Sequence, residues 1–433
     1  MKTSKILALS LVTVLVFAAC GQAGGGGATP AAPAPGAAAP AAPAGETAHL
    51  NLMFWDGVME DATRAMIADF TSQHPYITMD FSVIPWADYW LNLQTGLPAG
   101  AGPDLFWMNH PNSVTYTPSG LLMPLDGFNL DLSGFDRMQY QPFIHEGRLY
   151  GLPMFFDTIA LFYNRALFDE AGVPHPPRRG WTWAEALEAA IQLTVIQGGE
   201  VMQYGLGLSH GTQTVTAPLI FSHGGHLFSA DRMTMELNNS GALAGLQFLH
   251  DAMRVHRVSP TPVENATMNV GGALFVNRMM AMEVHGMWRA ATYFEAIGDD
   301  LGITHLPSST REANIYHNIA YVVGAHTAYP EAVAAFLRYA TTAAHGDIVA
   351  PVFLPSHNDS QHNWFANFPT LDLAIFAEAM EIAEPLPVAG ANAGAIWEVL
   401  QQEMERAIME TDQFTSEILQ DISDTVNALI NQS

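Results

Sequence analysis

The chain has 433 residues, 49% of them hydrophobic and 13% charged, with one cysteine and a formal charge of −26. That length supports two or three domains with a sizeable core, the single cysteine excludes an intrachain disulfide, and the negative field argues against nucleic acid and anionic lipid surfaces as partners. It says little about a neutral ligand.

Residues 1–19 read as a secretory signal. Lys2 and Lys5 precede the apolar run Ile6–Phe17, which is too short to span a bilayer as a mature helix, and Ala18-Ala19 follow. Cys20 sits where a bacterial lipobox places its lipidated cysteine, with Phe17 standing where Leu is usual. Residues 20–45 carry no charge and are first Gly-rich, then Ala/Pro-rich, the composition of a flexible-to-extended tether. Cleavage ahead of Cys20 removes both lysines and leaves 14 arginines against 42 acidic residues, a charge of −28.

From residue 46 strand and helix signals alternate, which points to an α/β fold. Residues 49–55 read as a strand ending at Asp56-Gly57, and Met59–Ser72 carries apolar residues at helical spacing. Further strands are expected at 76–83, 103–109, 203–209, 279–286 and 319–325. Thr182 and Glu185 have capping-box spacing before a helix running to Gln197, and Ser240 is placed to cap a helix to about Arg254. Helices are expected at 331–341 and 372–382, and two amphipathic helices at 395–430, split near Asp412.

The stretch FFDTIALFYN, residues 155–164, places Asp157 at the head of an apolar run, where an unpaired carboxylate is costly. Ligand hydroxyls, an arginine or backbone N–H groups are the candidate partners. Several predicted strand ends pair a flat ring with a hydrogen-bonding group: Trp55 with Asp56, Trp107 with Asn109, Trp288 with Arg289. A sugar offers matching surfaces, C–H faces for rings and hydroxyls for polar groups. Nine tryptophans cannot all serve this way. Trp181 and Trp183 read as anchors of a helix start, and Trp90 as a helix-face residue.

The ordered set FWDG (54–57), FTSQHPYI (70–77), WADYWLNLQTGLPAGAGPDLFWMN (86–109), GLLMPLD (120–126), GRLYGLPMFFDTIALFYNRALFDEAGV (147–173), WTWAEALEAA (181–190), FVNRMMAMEVHGMW (275–288) and HTAYPEAVAAFLRY (326–339) resembles the extracellular solute-binding proteins of family 1. These are the carbohydrate receptors of ABC importers, the group that includes maltose-binding protein. The resemblance covers most of residues 49–345; residues 346–433 match weakly. It implies a type II periplasmic-binding-protein fold, two α/β lobes around a ligand cleft, joined by a hinge that the chain crosses more than once. It implies one lobe from 46–157 plus about 302–356, and a second from 158–301 plus about 357–433. It places the carboxylate of Asp157 on the cleft floor and Trp288 at a sugar-stacking position. It also turns the loops of Gln213 and Gly224-Gly225, and the start of a late helix at Asn392 and Trp397, toward the cleft.

Enzyme readings are open on two motifs. Residues 207–211 spell G-x-S-x-G, with a strand expected before and a loop expected at 212–218 in place of the elbow's helix. Seventeen histidines include the pairs His223/His226 and His357/His362, but neither has the spacing of a metal motif. The expectation is therefore a monomeric, lipid-anchored binding protein outside the cytoplasmic membrane. It carries a carbohydrate to ABC permease subunits and has no cofactor, no metal and no catalytic residue. A secreted glycan hydrolase or lyase, and a ligand sensor, are the alternatives.

Overall fold

The first strand, β1 (Ala48–Phe54), buries Ala48, Leu50 and Leu52 and exposes His49 and Asn51, the period-2 pattern of a strand with one face in a core. It pairs in parallel with β2 (Ile77–Val83) on one side and β3 (Leu105–Asn109) on the other. Helix α1 (Glu60–Gln73) makes the crossover, burying Met66 and Phe70 and opening with Glu60 and Asp61, which favour its positive end. Helices α2 (Trp86–Gly96) and α3 (His110–Tyr116) flank β3.

The strand β4 (Gly151–Asn164) is buried along all 14 residues. Its first half runs antiparallel to β7 (Asn314–Val323), with Thr158 opposite Tyr316 and Gly151 opposite Val322. Its second half changes partners. Ile159–Tyr163 pair with β5 (Met282–Gly286), and Leu161–Asn164 with β6 (Leu301–Thr304). Asn314 bridges the handover by bonding both the N–H and the C=O of Ile159, at 3.1 and 2.7 Å. The sheet order is β6-β4-β7-β3-β1-β2, with β5 also on β4 and β8 (Ala383–Pro385) on β7. One strand thus belongs to two lobes.

The cores follow this division. Leu50, Leu52, Phe70, Leu105, Phe155, Tyr321 and Phe336 of helix α7 (Pro330–Ala340) share the first-lobe core. Ile159, Leu161, Trp183, Leu219, Leu246, Leu400 and Ile422 share the second-lobe core. It is built by helices α4 (Trp183–Leu193), α5 (Ala217–Ser222), α6 (Ser240–His250), α8 (Ala393–Glu410) and α9 (Ser416–Ile430). A further cluster packs Phe162, Phe275, Tyr293, Leu301, Ile303, Trp364 and Phe376 on the other side of β4. Leu306, Ala313 and Ile315 also pack in the second-lobe core.

The computed structural model describes residues 47–231, 233–388 and 393–431. The signal, tether and Cys20 readings, and Asn392, lie outside them. Among the described residues no helix is long and apolar enough to cross a membrane.

The capping box at Thr182/Glu185 is present. Helix α6 is capped by Asn239, whose side chain accepts from the Ala242 N–H, and Ser240 is its first residue. The expected strand at 203–209 is absent as a strand: only Tyr204 and Gly207 make isolated bridges, to Met280 and Glu283. The expected loop at 212–218 is instead helical, a wide turn at Thr212–Thr216 leading into α5. Helix α4 stops at Leu193, and Val195–Gln197 turn into a small hairpin with Glu200–Gln203.

Candidate ligand cleft

The first-lobe wall is aromatic. Trp55 ends β1 and meets Trp86, Tyr89 and Trp107 edge-on at 5.2, 5.1 and 5.1 Å, with Trp90 at 5.8 Å. Trp86 is 47% exposed and Trp107 only 1%. Trp107 stacks on Phe54 at 5.0 Å in the first-lobe core, so it supports Trp55 and offers no free face of its own. Tyr89 locks this arrangement by donating to the Trp107 carbonyl at 2.6 Å.

Asp56 follows Trp55 and caps a short turn, its Oδ1 accepting from the Val58 N–H at 3.2 Å. Burial raises its carboxyl above the ordinary range; the Val58 N–H and the charge of Arg289 oppose the rise. Arg289 follows β5 of the second lobe, so this charge acts between the lobes. Asn109 is 5% exposed and caps α3, accepting from the backbone N–H and side-chain amide of Asn112 at 3.2 and 2.8 Å. Its carbonyl is committed to the helix start.

At the handover point of β4 stands Asp157, 5% exposed and opposite His317 on β7. His317 Nδ1 lies 2.5 Å from its Oδ1. Neither an arginine nor a backbone cap is the partner. Burial raises the Asp157 carboxyl, and the imidazole opposes that rise by its charge and hydrogen bond.

Trp288 overlooks this pair. Its ring is half-buried, meets His317 at 6.1 Å and His285 at 5.2 Å, and packs against the cores of both lobes. A Cβ on Gly286 would lie 1.7 Å from the Trp288 ring, so only glycine seats this tryptophan.

The second-lobe wall is polar. A cavity of about 280 Å³ is lined by Ser209, His210, Asn269, Glu283, His285 and Arg289 among others. Glu283 is buried and accepts from Tyr293 OH and, at 2.9 Å, from Asn269 Nδ2. Burial raises its carboxyl against the pull of these donors and of Arg289. Arg289 donates from Nη1 to the Gly271 carbonyl at 3.1 Å, while its buried Nε has no partner. Burial, and then the Arg289 charge, hold His285 far below its usual range, so it is neutral near pH 7. Buried, unpartnered His210 Nδ1 and Thr212 Oγ1 lie in the same loop region. A set of unused hydrogen-bonding atoms around a cavity is what a hydroxyl-rich ligand satisfies.

Of the ten ligand residues expected from sequence, only Arg289 lines this cavity. Gln213 is part-exposed in the turn 212–216, two residues after the lining residue Gly211. Trp397 is in the first turns of α8, packed edge-on to Phe228 at 6.0 Å with its Nε1 unpartnered. Gly225 has a packing role: a Cβ there would come within 2.5 Å of the Ala242 N, because α5 and α6 approach closely.

The G-x-S-x-G serine forms no triad. Ser209 Oγ bonds Thr214 Oγ1 at 3.1 Å and accepts from the Gly211 N–H at 3.3 Å. His223 Nδ1 bonds the Leu219 carbonyl at 2.8 Å, His226 faces Glu236 at 3.4 Å, and His357 packs on Phe135. Among the described residues no group of three or more His, Cys, Asp or Glu gathers to hold a metal.

A model of the bacterial extracellular solute-binding proteins matches residues 56–347, more than half of the chain. The chain belongs to this family. Its members are substrate-binding proteins. A binding protein of Brucella abortus (strain 2308) is 31% identical over 177 residues, so the match spans 40% of this chain and 42% of that relative. The maltotriose-binding protein of Pyrococcus abyssi is 25% identical across 52% of this chain and 46% of its own. The arabinooligosaccharide-binding protein of Bacillus subtilis is 24% identical across 70% and 72%.

Solved structures give the same fold. An ABC substrate-binding protein of Listeria monocytogenes in complex with cycloalternan superposes with a TM-score of 0.82 at 21% identity, covering 89% of this chain and 100% of that one. The GacH receptor of Streptomyces glaucescens gives 0.77 at 20%, covering 89% and 99%. The two-lobed periplasmic-binding architecture expected from sequence is therefore the architecture of this family member.

Proposed function

We propose that this protein is the extracytoplasmic receptor of an ABC importer, binding a sugar or oligosaccharide by lobe closure and delivering it to membrane permease subunits. It performs no chemistry and works as a monomer, tethered through a lipid on Cys20. The observation that carries the reading is the pairing of unlike walls. An aromatic group led by Trp55 and Trp86 stands in the first lobe and a polar cavity lined by Arg289 and His210 in the second; the Arg289 charge acts on the Asp56 carboxyl, and Trp288 and the Asp157–His317 pair lie at the hinge.

Rings cover the C–H faces of a sugar, and unpartnered polar atoms take its hydroxyls. In this reading Asp56, Trp55, Trp288, Arg289 and Trp397 meet ligand directly, while Trp107, Asn109 and Gly225 hold the walls that carry them. The maltotriose-binding protein of Pyrococcus abyssi and the arabinooligosaccharide-binding protein of Bacillus subtilis support this class of ligand.

A thermal-shift screen of the mature chain against mono- and oligosaccharides tests it. A cognate sugar at a hundred times its Kd stabilises by about 2.7 kcal/mol. A chain that melts cooperatively and answers to no saccharide contradicts the proposal, as does turnover of any sugar in the panel.

A further inference from the structure

His317 was not singled out by any motif, yet it is a buried polar residue at the strand handover between the lobes. It is 3% exposed, on β7, where β4 passes from one lobe to the other. One ring nitrogen is bound to Asp157 at 2.5 Å; the other, Nε2, is buried with no hydrogen-bond partner. A buried polar atom left unpaired carries its full desolvation cost. The ring also stands 6.1 Å from Trp288, at 70° to it, and Trp288 is the second-lobe ring that packs on both cores. An unpaired nitrogen lies beside the ring expected to stack a sugar face.

The partner of Nδ1 decides what Nε2 can do. A carboxylate at Asp157 accepts from Nδ1–H, and a ring that carries this single proton presents a lone pair at Nε2. We propose that His317 Nε2 accepts a hydrogen bond from one hydroxyl of the ligand, and that Asp157 is a positioning residue which fixes the tautomer. The inference rests on the saccharide reading above and sharpens it: the ligand must donate at the position lying over His317 when its C–H face meets Trp288. A hydroxyl there is accepted, and a group without a proton to give is rejected.

The test uses titration calorimetry on the full mature chain, with the tightest saccharide from the panel and its singly deoxyfluorinated analogues. Fluorine keeps the size of the hydroxyl and cannot donate. Wild type is expected to bind one analogue at least about tenfold more weakly than the parent. His317→Asn keeps an N–H toward Asp157 and has nothing at Nε2. It is expected to bind the parent about tenfold more weakly, to lose discrimination at that one position, and to melt within about 2 °C of wild type. His317→Gln places an amide near Nε2 and is expected to recover most of the affinity.

Parent affinity unchanged in His317→Asn overturns the inference. So does discrimination that survives in both variants while both melt earlier, which marks a purely structural histidine. If His317→Asn does not fold, His317→Gln decides alone: parent affinity near that of wild type, with the one analogue still bound about tenfold more weakly, supports the role, and an equal loss for the parent and every analogue overturns it. A wild type that binds no saccharide defeats the saccharide reading itself, an outcome distinct from any of these.

Discussion

In the first lobe the cleft wall is a packed group of rings, Trp55, Trp86, Tyr89 and Trp90 resting on Trp107, with Asp56 as the charged group beside them. In the second lobe the wall surrounds a cavity with Glu283, His285, Arg289 and His210, and two of its buried polar atoms, His210 Nδ1 and Arg289 Nε, have no partner. A wall of rings gives contact area and little discrimination among hydroxyl patterns. A wall of fixed donors and acceptors discriminates and is costly while empty. On the proposed saccharide reading, this division assigns affinity mainly to one lobe and selectivity mainly to the other, and closure is the step at which both act on one ligand.

The sharpest way to break this comparison is at Trp288, which touches both cores. Trp288→Ala removes a ring from the meeting point, and affinity is expected to fall by about 2–3 kcal/mol in calorimetry. Scattering should then show less compaction than wild type at matched occupancy. If affinity falls while compaction is unchanged, Trp288 is a platform only, and the two walls close without it.

Asp157→Asn comes next. It preserves shape while weakening the hold on His317, and affinity is expected to fall by about 1.5–2 kcal/mol with little change in the melting temperature of the free protein. A large stability loss with unchanged affinity places the pair in the architecture and removes it from recognition.

Buried histidines separate stability from binding. His345 lies in the first lobe, 2% exposed, bonded to Tyr321 OH at 3.2 Å and pushed down to about 4 by burial and then by His357. Its folded pKa is below the unfolded value of about 6.5. The unfolded chain therefore takes up the proton first, and stability is lost as pH falls from about 6.5 to 4. His345→Gln is expected to flatten this fall by on the order of 1–2 kcal/mol without altering sugar affinity, measured by melting across that range. The raised carboxyls Asp56 and Glu283 work the opposite way, since the folded state binds their protons more readily. A His345 variant that changes affinity would mean that the core beneath the aromatic wall is coupled to ligand binding.

The smallest effect is expected at Arg289→Gln, about 1 kcal/mol in affinity. Wild-type affinity should weaken slightly with salt, and the variant's should not, because the attraction toward Asp56 acts between the lobes.

Much of the fold was legible in local pattern. The alternation in 49–54, the capping box at Thr182/Glu185 and the split near Asp412 each carry their own signal, and each corresponds to an observed element. What was lost depended on distance in the chain. Asp157 and His317 are 160 positions apart, and only strand pairing brings them together. An apolar run with one carboxylate announced that a partner was needed but held no clue to which. The cavity residues Glu283 and Asn269 were hidden for the same reason, although Glu283 and its donor Tyr293 lie within one strand-to-helix unit.

The segment 203–218 misled because GLGLS alternates like a strand while its neighbours pair only at Tyr204 and Gly207. The helical turn that follows begins at Thr212, a residue of modest helix propensity, and is stabilised by packing and by the Gly211 carbonyl. The resemblance turns the Gly224-Gly225 loop toward the cleft; the close approach of α5 and α6 at Gly225 is a packing demand that local sequence does not announce. Trp107 shows the same limit. A tryptophan at a strand end looks alike from sequence whether it faces the cleft or lies under the residue that does.

Small-angle scattering of the wild-type chain, with and without a saturating saccharide chosen from the thermal-shift panel, tests capture between the two walls most directly. The account predicts a smaller radius of gyration with ligand, reversed on its removal. A sugar that binds with measurable heat and leaves the radius of gyration unchanged would contradict it.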